Sequence, residues 1–163
     1  MITLQIAKAM GADVTGVCST RNTEMVRSLG ADHVIDYTRE DFTRSNQRYD
    51  LIIDNVGNQS VWAYRRVLQP QGTLVIIGAD KGKWLGPFKG PIEALVLSPF
   101  MSQRAGMFIS NFEPKDLNVL AEVARSGKMK SVIDRRYGLE QAADAIRYLE
   151  AGHARAKVVI SVP

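Results

Sequence analysis

The sequence predicts an α/β fold, a parallel β-sheet covered by helices on both faces. Helical and strand patterns alternate along nearly the whole chain, which is the order that parallel strands joined by crossover helices require. The apolar runs Leu51-Ile52-Ile53 and Leu74-Val75-Ile76-Ile77 are continuous rather than alternating, as in strands buried on both sides. The 163 residues, 45% hydrophobic and 23% charged, suit one domain with a single core.

Met1 to Met10 reads as a helix with Ile2, Ile6, Ala9 and Met10 on one face and Gly11 as its stop. Val14 to Cys18 is a short strand. Asn22 to Leu29 is a helix with Asn22 as N-cap, Met25, Val26 and Leu29 inward and Gly30 at its end. His33 to Ile35 is a brief strand closed by Asp36 and Tyr37. Tyr49-Asp50 forms a turn into the strand Leu51 to Asp54, followed by Asn55-Val56-Gly57-Asn58. The next helix gathers Val61, Tyr64 and Leu68 and is stopped by Pro70, and Pro70-Gln71-Gly72 turns into the strand Thr73 to Gly78.

Glycine and proline punctuate Ala79 to Phe100, with a short helix expected at Ile92 to Leu97 and a strand at Met107 to Ser110. Pro114 opens a helix that faces inward with Leu117, Leu120, Ala121 and Ala124 and ends at Gly127. A last helix carries Leu139, Ala142, Ala143, Ile146 and Leu149 to Gly152, and Lys157 to Val162 closes the chain as a strand. No linker or repeat divides residues 1–163, which read as one domain.

Several function classes find little support. No apolar run approaches the ~20 residues of a membrane-spanning helix, and Lys8 breaks any secretory pattern at the start. The single cysteine, Cys18, excludes an internal disulfide and suits a reducing compartment, so a cytoplasmic protein is expected. His33 and His153 are the only histidines and no carboxylates cluster, which argues against zinc. The net charge of +4 is scattered and no aromatics interleave with it, so nucleic acid is not an expected partner.

The element order is that of a doubly wound dinucleotide-binding sheet of the Rossmann type, with two departures. Such a fold opens with a strand and a glycine-rich turn that feeds the first helix; here that helix begins at Met1 and no G-x-G-x-x-G appears. In the order 3-2-1-4-5-6 the first strand is central. Without it the neighbouring strands carry unpaired backbone groups, each costing roughly 1–3 kcal/mol if buried. The expectation is therefore a partial domain whose sheet rearranges or whose chain oligomerises.

Candidate ligand residues sit at strand ends, where open α/β sheets bind ligands. An NAD site places a carboxylate after the second strand of the fold; this sequence offers Ser19, Thr20, Arg21 and Asn22, which suit the extra phosphate of NADPH or form a capping turn. Tyr37 can flank the adenine, reach that phosphate, or simply pack. Asn55 and Val56 follow the third strand, with Asn55 equally suited to cap the next helix. Gly78, after Ile77, permits close backbone approach or serves as a turn glycine.

Four blocks carry a resemblance: Gln5 to Ala12, Leu29 to Tyr37, Leu68 to Val75, and Tyr148 to Ile160. The chain resembles the medium-chain dehydrogenase/reductases, in their zinc-independent, quinone-oxidoreductase-like branch. The resemblance implies hydride transfer from NADPH to a quinone or enone without a metal. It assigns Ser19, Arg21 and Tyr37 to the 2′-phosphate and adenosine end, Asn55 and Val56 to the ribose, Ile77 and Gly78 to the nicotinamide ribose, and Phe108 and Ile109 to the nicotinamide. It also implies a homodimer through the edge near Met107 to Ser110. Ala156 stands where relatives carry glycine.

The family's N-terminal substrate domain has no counterpart here, so the isolated chain is expected to be inactive or to bind weakly. Two other readings stay open. One is a non-catalytic remnant whose sheet edges bind a partner. The other is a class I methyltransferase, which shares the Leu-x-Pro-x-Gly turn of Leu68 to Gly72 but favours an acid where Arg21 stands.

Overall fold

The structure, a computed structural model, describes residues 1–57, 59–77, 113–152 and 154–162, and the backbone of 104–107. Its elements are α1 (Ile2–Ala9), β1 (Thr15–Cys18), α2 (Thr23–Ser28), β2 (His33–Asp36), β3 (Tyr49–Asp54), α3 (Val61–Val67), β4 (Leu68–Ile76), β5 (Arg104–Met107), α4 (Pro114–Arg125), β6 (Ile133–Gly138), α5 (Ala142–Glu150) and β7 (Lys157–Ser161). The helix expected at Ile92 to Leu97 and the strand beyond Met107 lie outside the described residues. Two compact units divide the chain, Met1–Thr38 with Glu113–Pro163, and Arg39–Phe112.

Every strand pairing among the described residues is parallel, as the alternating pattern requires. The strands form three ladders, β1–β2, β3–β4–β5 and β6–β7, rather than one six-stranded sheet. The first two ladders reproduce the pairings that the order 3-2-1-4-5-6 has on each side of its strand 1.

In the first unit, α2 is the crossover between β1 and β2. Gly16 lets it sit flush on the sheet, since a Cβ there would stand 2.5 Å from the Val26 methyl. Gly11, Gly30, Gly127 and Gly152 follow helices with positive φ, each where the sequence places a stop.

The expected inward faces fare less well. In α1 the buried residue is Gln5, while Met10 is 82% exposed beyond the helix end. Gln5 is buried because its amide completes the backbone before β6: Nε2 donates to Lys130 O at 3.0 Å and Oε1 accepts from Lys130 N at 2.6 Å. No residue of α4 is buried, and Leu117 is 63% exposed. In α5 the buried residue is Ala145, not Ile146 or Leu149.

β6 has no counterpart in the sequence reading. Its residues, Ile133 to Gly138, are largely charged, and pairing with β7 rather than propensity makes them a strand.

The second unit holds a compact core. Tyr64, Leu68 and Leu74 are buried together, with Phe42, Ile52 and Ile76 packed against them. Tyr49 and Asp50 belong to β3 rather than to a turn. Pro70 does not end α3, which stops at Val67. Tyr49 pairs with Leu68 and Leu51 with Thr73, so Gln69 to Gly72 bulge from β4. A bulge tolerates proline because no ladder N–H is required there.

Candidate functional site

At the carboxyl end of the first ladder the chain leaves β1 at Cys18 and enters α2 through Ser19 and a tight 3-10 turn, Thr20–Asn22. Cys18 pairs with Asp36, and the Tyr37 N–H donates to Cys18 O at 3.0 Å. Ser19 and Tyr37 therefore leave adjacent strands side by side, which brings Ser19, Arg21, Asn22 and Tyr37 to one edge. Tyr37 is 61% exposed there. The Arg21 guanidinium has no hydrogen-bond or ion-pair partner among the described residues.

Asn22 occupies the N-cap position of α2 but makes no capping bond. Its amide nitrogen donates to Ser19 Oγ at 3.3 Å, and its Oδ1 accepts from Arg155 Nε at 3.1 Å. The amide is engaged elsewhere, which is why the expected cap does not form.

The same edge carries an acid, Asp36. Thr20 Oγ1 donates to its Oδ2 at 2.5 Å, and Thr38 donates to its Oδ1 through N at 3.0 Å and Oγ1 at 2.7 Å. These bonds spread the charge of Asp36 over hydroxyls and an amide. The thiol of Cys18 is pushed up, first by burial and then by Asp36.

In the second unit, β3 and β4 end together, with Asp54 paired to Ile76 and Ile77 N donating to Asp54 O at 2.8 Å. Asn55, Val56 and Ile77 stand at this carboxyl edge, with Val56 and Ile77 exposed. Asn55 is not the helix cap; Ser60 is, its Oγ accepting from Ala63 N at 3.2 Å. The turn is built by Asp54, only 8% exposed. Its Oδ1 accepts from Val56 N at 2.9 Å and Gly57 N at 3.0 Å, and its Oδ2 from the Tyr64 hydroxyl at 2.6 Å. Burial, then Asp54, pushes the Tyr64 hydroxyl far above its ordinary range, so it acts only as a donor. Gly78, Phe108 and Ile109 lie outside the described residues.

Asp36 and Asp54 did not stand out in the sequence as site residues, and Arg155, which the resemblance puts either at the cofactor or only on the surface, is not among the candidates. Asp54 had a local signal, an acid at a strand end followed by Asn-Val-Gly, the composition of an Asx turn. The contact of Arg155 with the turn had none, because its partners Arg21 and Asn22 lie more than 130 residues away.

Comparison with known proteins fits this architecture. Residues 29–160 match the model of a family described as zinc-binding dehydrogenase. Among the described residues no group of three His, Cys, Asp or Glu is placed to hold a metal ion. The chain is 34% identical to the mouse NAD(P)H oxidoreductase RTN4IP1, mitochondrial, over 98% of its own length and 44% of that protein. It is 32% identical to the trans-enoyl reductase pgmF of Aspergillus terreus, over 98% of its length and 47% of that protein. The quinone oxidoreductase structure from Coxiella burnetii superposes with a TM-score of 0.79 at 27% identity, over 99% of this chain and 49% of that one. The chain thus spans about half the length of the relatives it matches. These matches leave the methyltransferase reading without support. The chain belongs to the zinc-binding dehydrogenase family, among the quinone-oxidoreductase-like medium-chain dehydrogenase/reductases.

Proposed function

We propose that this chain is the cofactor-holding part of an NAD(P)H-dependent oxidoreductase, with NADPH its preferred dinucleotide and a quinone or enone the acceptor in the complete enzyme. The observation that carries the cofactor choice is Arg21, whose guanidinium is without a partner among the described residues on a turn fixed by the other groups around it. A guanidinium fork matches a phosphate with two parallel hydrogen bonds. Ser19 adds a hydroxyl held in place by Asn22, and Tyr37 an exposed ring for the adenine. Asn55 and Val56 serve the ribose, Ile77 and Gly78 the nicotinamide ribose, and Phe108 and Ile109 the nicotinamide. The relatives' names, an NAD(P)H oxidoreductase, an enoyl reductase and a quinone oxidoreductase, support the reaction class.

When bound, the dinucleotide supplies the hydride, so the chain needs no nucleophile of its own. What its residues contribute is grip and orientation at the strand ends. Asp36 favours a second reading, NADH, because a carboxylate at this edge accepts from ribose hydroxyls. The three donors from Thr20 and Thr38 already engage it, which supports the NADPH reading over this one.

A fluorescence titration with NADPH tests the proposal. Weak but measurable binding that falls further in Arg21→Ala is the expected result. A chain whose addition leaves NADPH emission unchanged is a partner-binding module or remnant instead.

A further inference from the structure

The exposed side chain of Arg155 places two donors on the turn between β1 and α2. Its Nη2 donates to Arg21 O at 2.6 Å and its Nε to Asn22 Oδ1 at 3.1 Å. The fork thus spans two consecutive residues of the turn between β1 and α2. Its own base is anchored as well. The Arg155 N–H donates to Asp134 Oδ2 at 2.9 Å, and the Tyr148 hydroxyl donates to the same oxygen at 2.8 Å. The Arg135 guanidinium lies over the Tyr148 ring, 4.0 Å from its centroid. These bonds hold Asp134 below the usual carboxylate range, the Arg155 N–H first. The chain of contacts therefore runs from β6 and α5, through the turn before β7, to the backbone of Arg21. All of it lies within one compact unit.

We propose that Arg155 is a positioning residue: it clamps the Arg21 carbonyl and the Asn22 amide so that the Arg21 guanidinium faces a dinucleotide's 2′-phosphate. Arg155 spends its donors on the turn, not on the ligand, and sets selectivity for NADPH over NADH from a distance. This rests on the reading of the turn as the adenosine-phosphate pocket. Geometry explains the residue type. Two acceptors on neighbouring residues need two donors in a fixed fork, which arginine has and lysine lacks. The clamp also explains the fate of Asn22, whose carbonyl oxygen is taken by Arg155 while its nitrogen steadies Ser19.

The test measures NADPH and NADH affinities of the chain and of Arg21→Ala, Arg155→Ala, Arg155→Lys and the double Arg21→Ala/Arg155→Ala variant, with a thermal melt of each. Loss of a charge-assisted contact to phosphate lowers the NADPH-over-NADH preference about tenfold in Arg21→Ala. Arg155→Ala is expected to lose most of that same preference, with NADH affinity changed by no more than about twofold. The double variant is expected to match Arg21→Ala. Arg155→Lys, which keeps the charge but not the fork, is expected to behave as the alanine variant does.

Preference retained in Arg155→Ala, or retained in Arg155→Lys alone, overturns the clamp; the second outcome makes Arg155 a direct phosphate contact. Equal loss of both cofactors together with a lowered melting temperature makes it a structural residue and also overturns the proposal. If Arg21→Ala itself changes nothing, or the unsubstituted chain binds neither cofactor, the adenosine-phosphate reading fails and the clamp proposal falls with it.

Discussion

The unit Arg39–Phe112 and the unit built from Met1–Thr38 and Glu113–Pro163 are held together by different physics. In the former, the seven-residue α3 buries Val61, Ala63, Tyr64 and Val67, and Tyr64 packs with Leu68 and Leu74. In the latter, the twelve-residue α4 buries nothing and α5 buries Ala145. Polar ties take over there. Lys8 Nζ bonds both oxygens of Asp32, at 2.9 and 2.8 Å, while Asp32 Oδ2 accepts from Val14 N at 2.8 Å. Gln5 fastens Lys130, and Arg155 fastens the Arg21 turn. An apolar core responds little to pH and salt, whereas a set of exposed polar ties sets local geometry and responds to both. The turn proposed to read the cofactor's extra phosphate lies in the second kind of structure, where small changes in side-chain chemistry move it without unfolding the molecule.

The contrast is sharpest at Leu74, 1% exposed at the centre of the apolar cluster. Leu74→Ala is expected to cost about 3 kcal/mol in chemical denaturation. A loss under about 1 kcal/mol would mean that this core is not what stabilises its unit. Gly16→Ala comes next. Its Cβ would stand 2.5 Å from the Val26 methyl, and the strain of moving α2 off β1 is expected to cost about 2 kcal/mol. Tyr64→Phe deletes the 2.6 Å bond to buried Asp54, with an expected loss of about 1–2 kcal/mol. The same variant loosens the turn that presents Asn55 and Val56.

The polar unit has its own signature. The Lys8 ammonium first, and then the Val14 N–H, draw the Asp32 carboxyl from an ordinary 3.8 down to about 2. Its contribution to stability is therefore fully present above pH 3.8 and is lost as pH falls toward 2. Asp32→Asn is expected to lower stability modestly above pH 3.8, where that contribution is present, and to converge with the unsubstituted chain toward pH 2, which flattens that part of the acid-stability curve; an unaltered curve would remove Asp32 from the account. The smallest effect belongs to Leu117→Ala on exposed α4, expected to lie within about 0.5 kcal/mol. A loss as large as that of Leu74→Ala would erase the contrast between the two units.

Much of the fold was legible because it rests on local signals. Continuous apolar runs marked β3 and β4, and Gly11, Gly30, Gly127 and Gly152 marked helix ends with a backbone conformation that glycine adopts at little cost. Burial was less legible. Periodicity shows that Leu117 and Leu149 share a face with other apolar residues, but not what covers that face. The start of β4 was read as a turn because Pro70 and Gly72 usually make one; here they sit in a bulge set by Tyr49 across the ladder. The site divides in the same way. That Ser19, Arg21, Asn22 and Tyr37 share one edge was readable from their places after strands, since strand ends are local. Arg155 was not, since only the folded chain brings it to Arg21, and no spacing in the sequence encodes that contact.

Calorimetric titration of the chain with adenosine 2′,5′-bisphosphate and with adenosine 5′-monophosphate isolates the one phosphate on which the cofactor assignment turns. The bisphosphate is predicted to bind about tenfold more tightly, with the difference abolished in Arg21→Ala. Equal affinities for the two nucleotides would contradict the assignment.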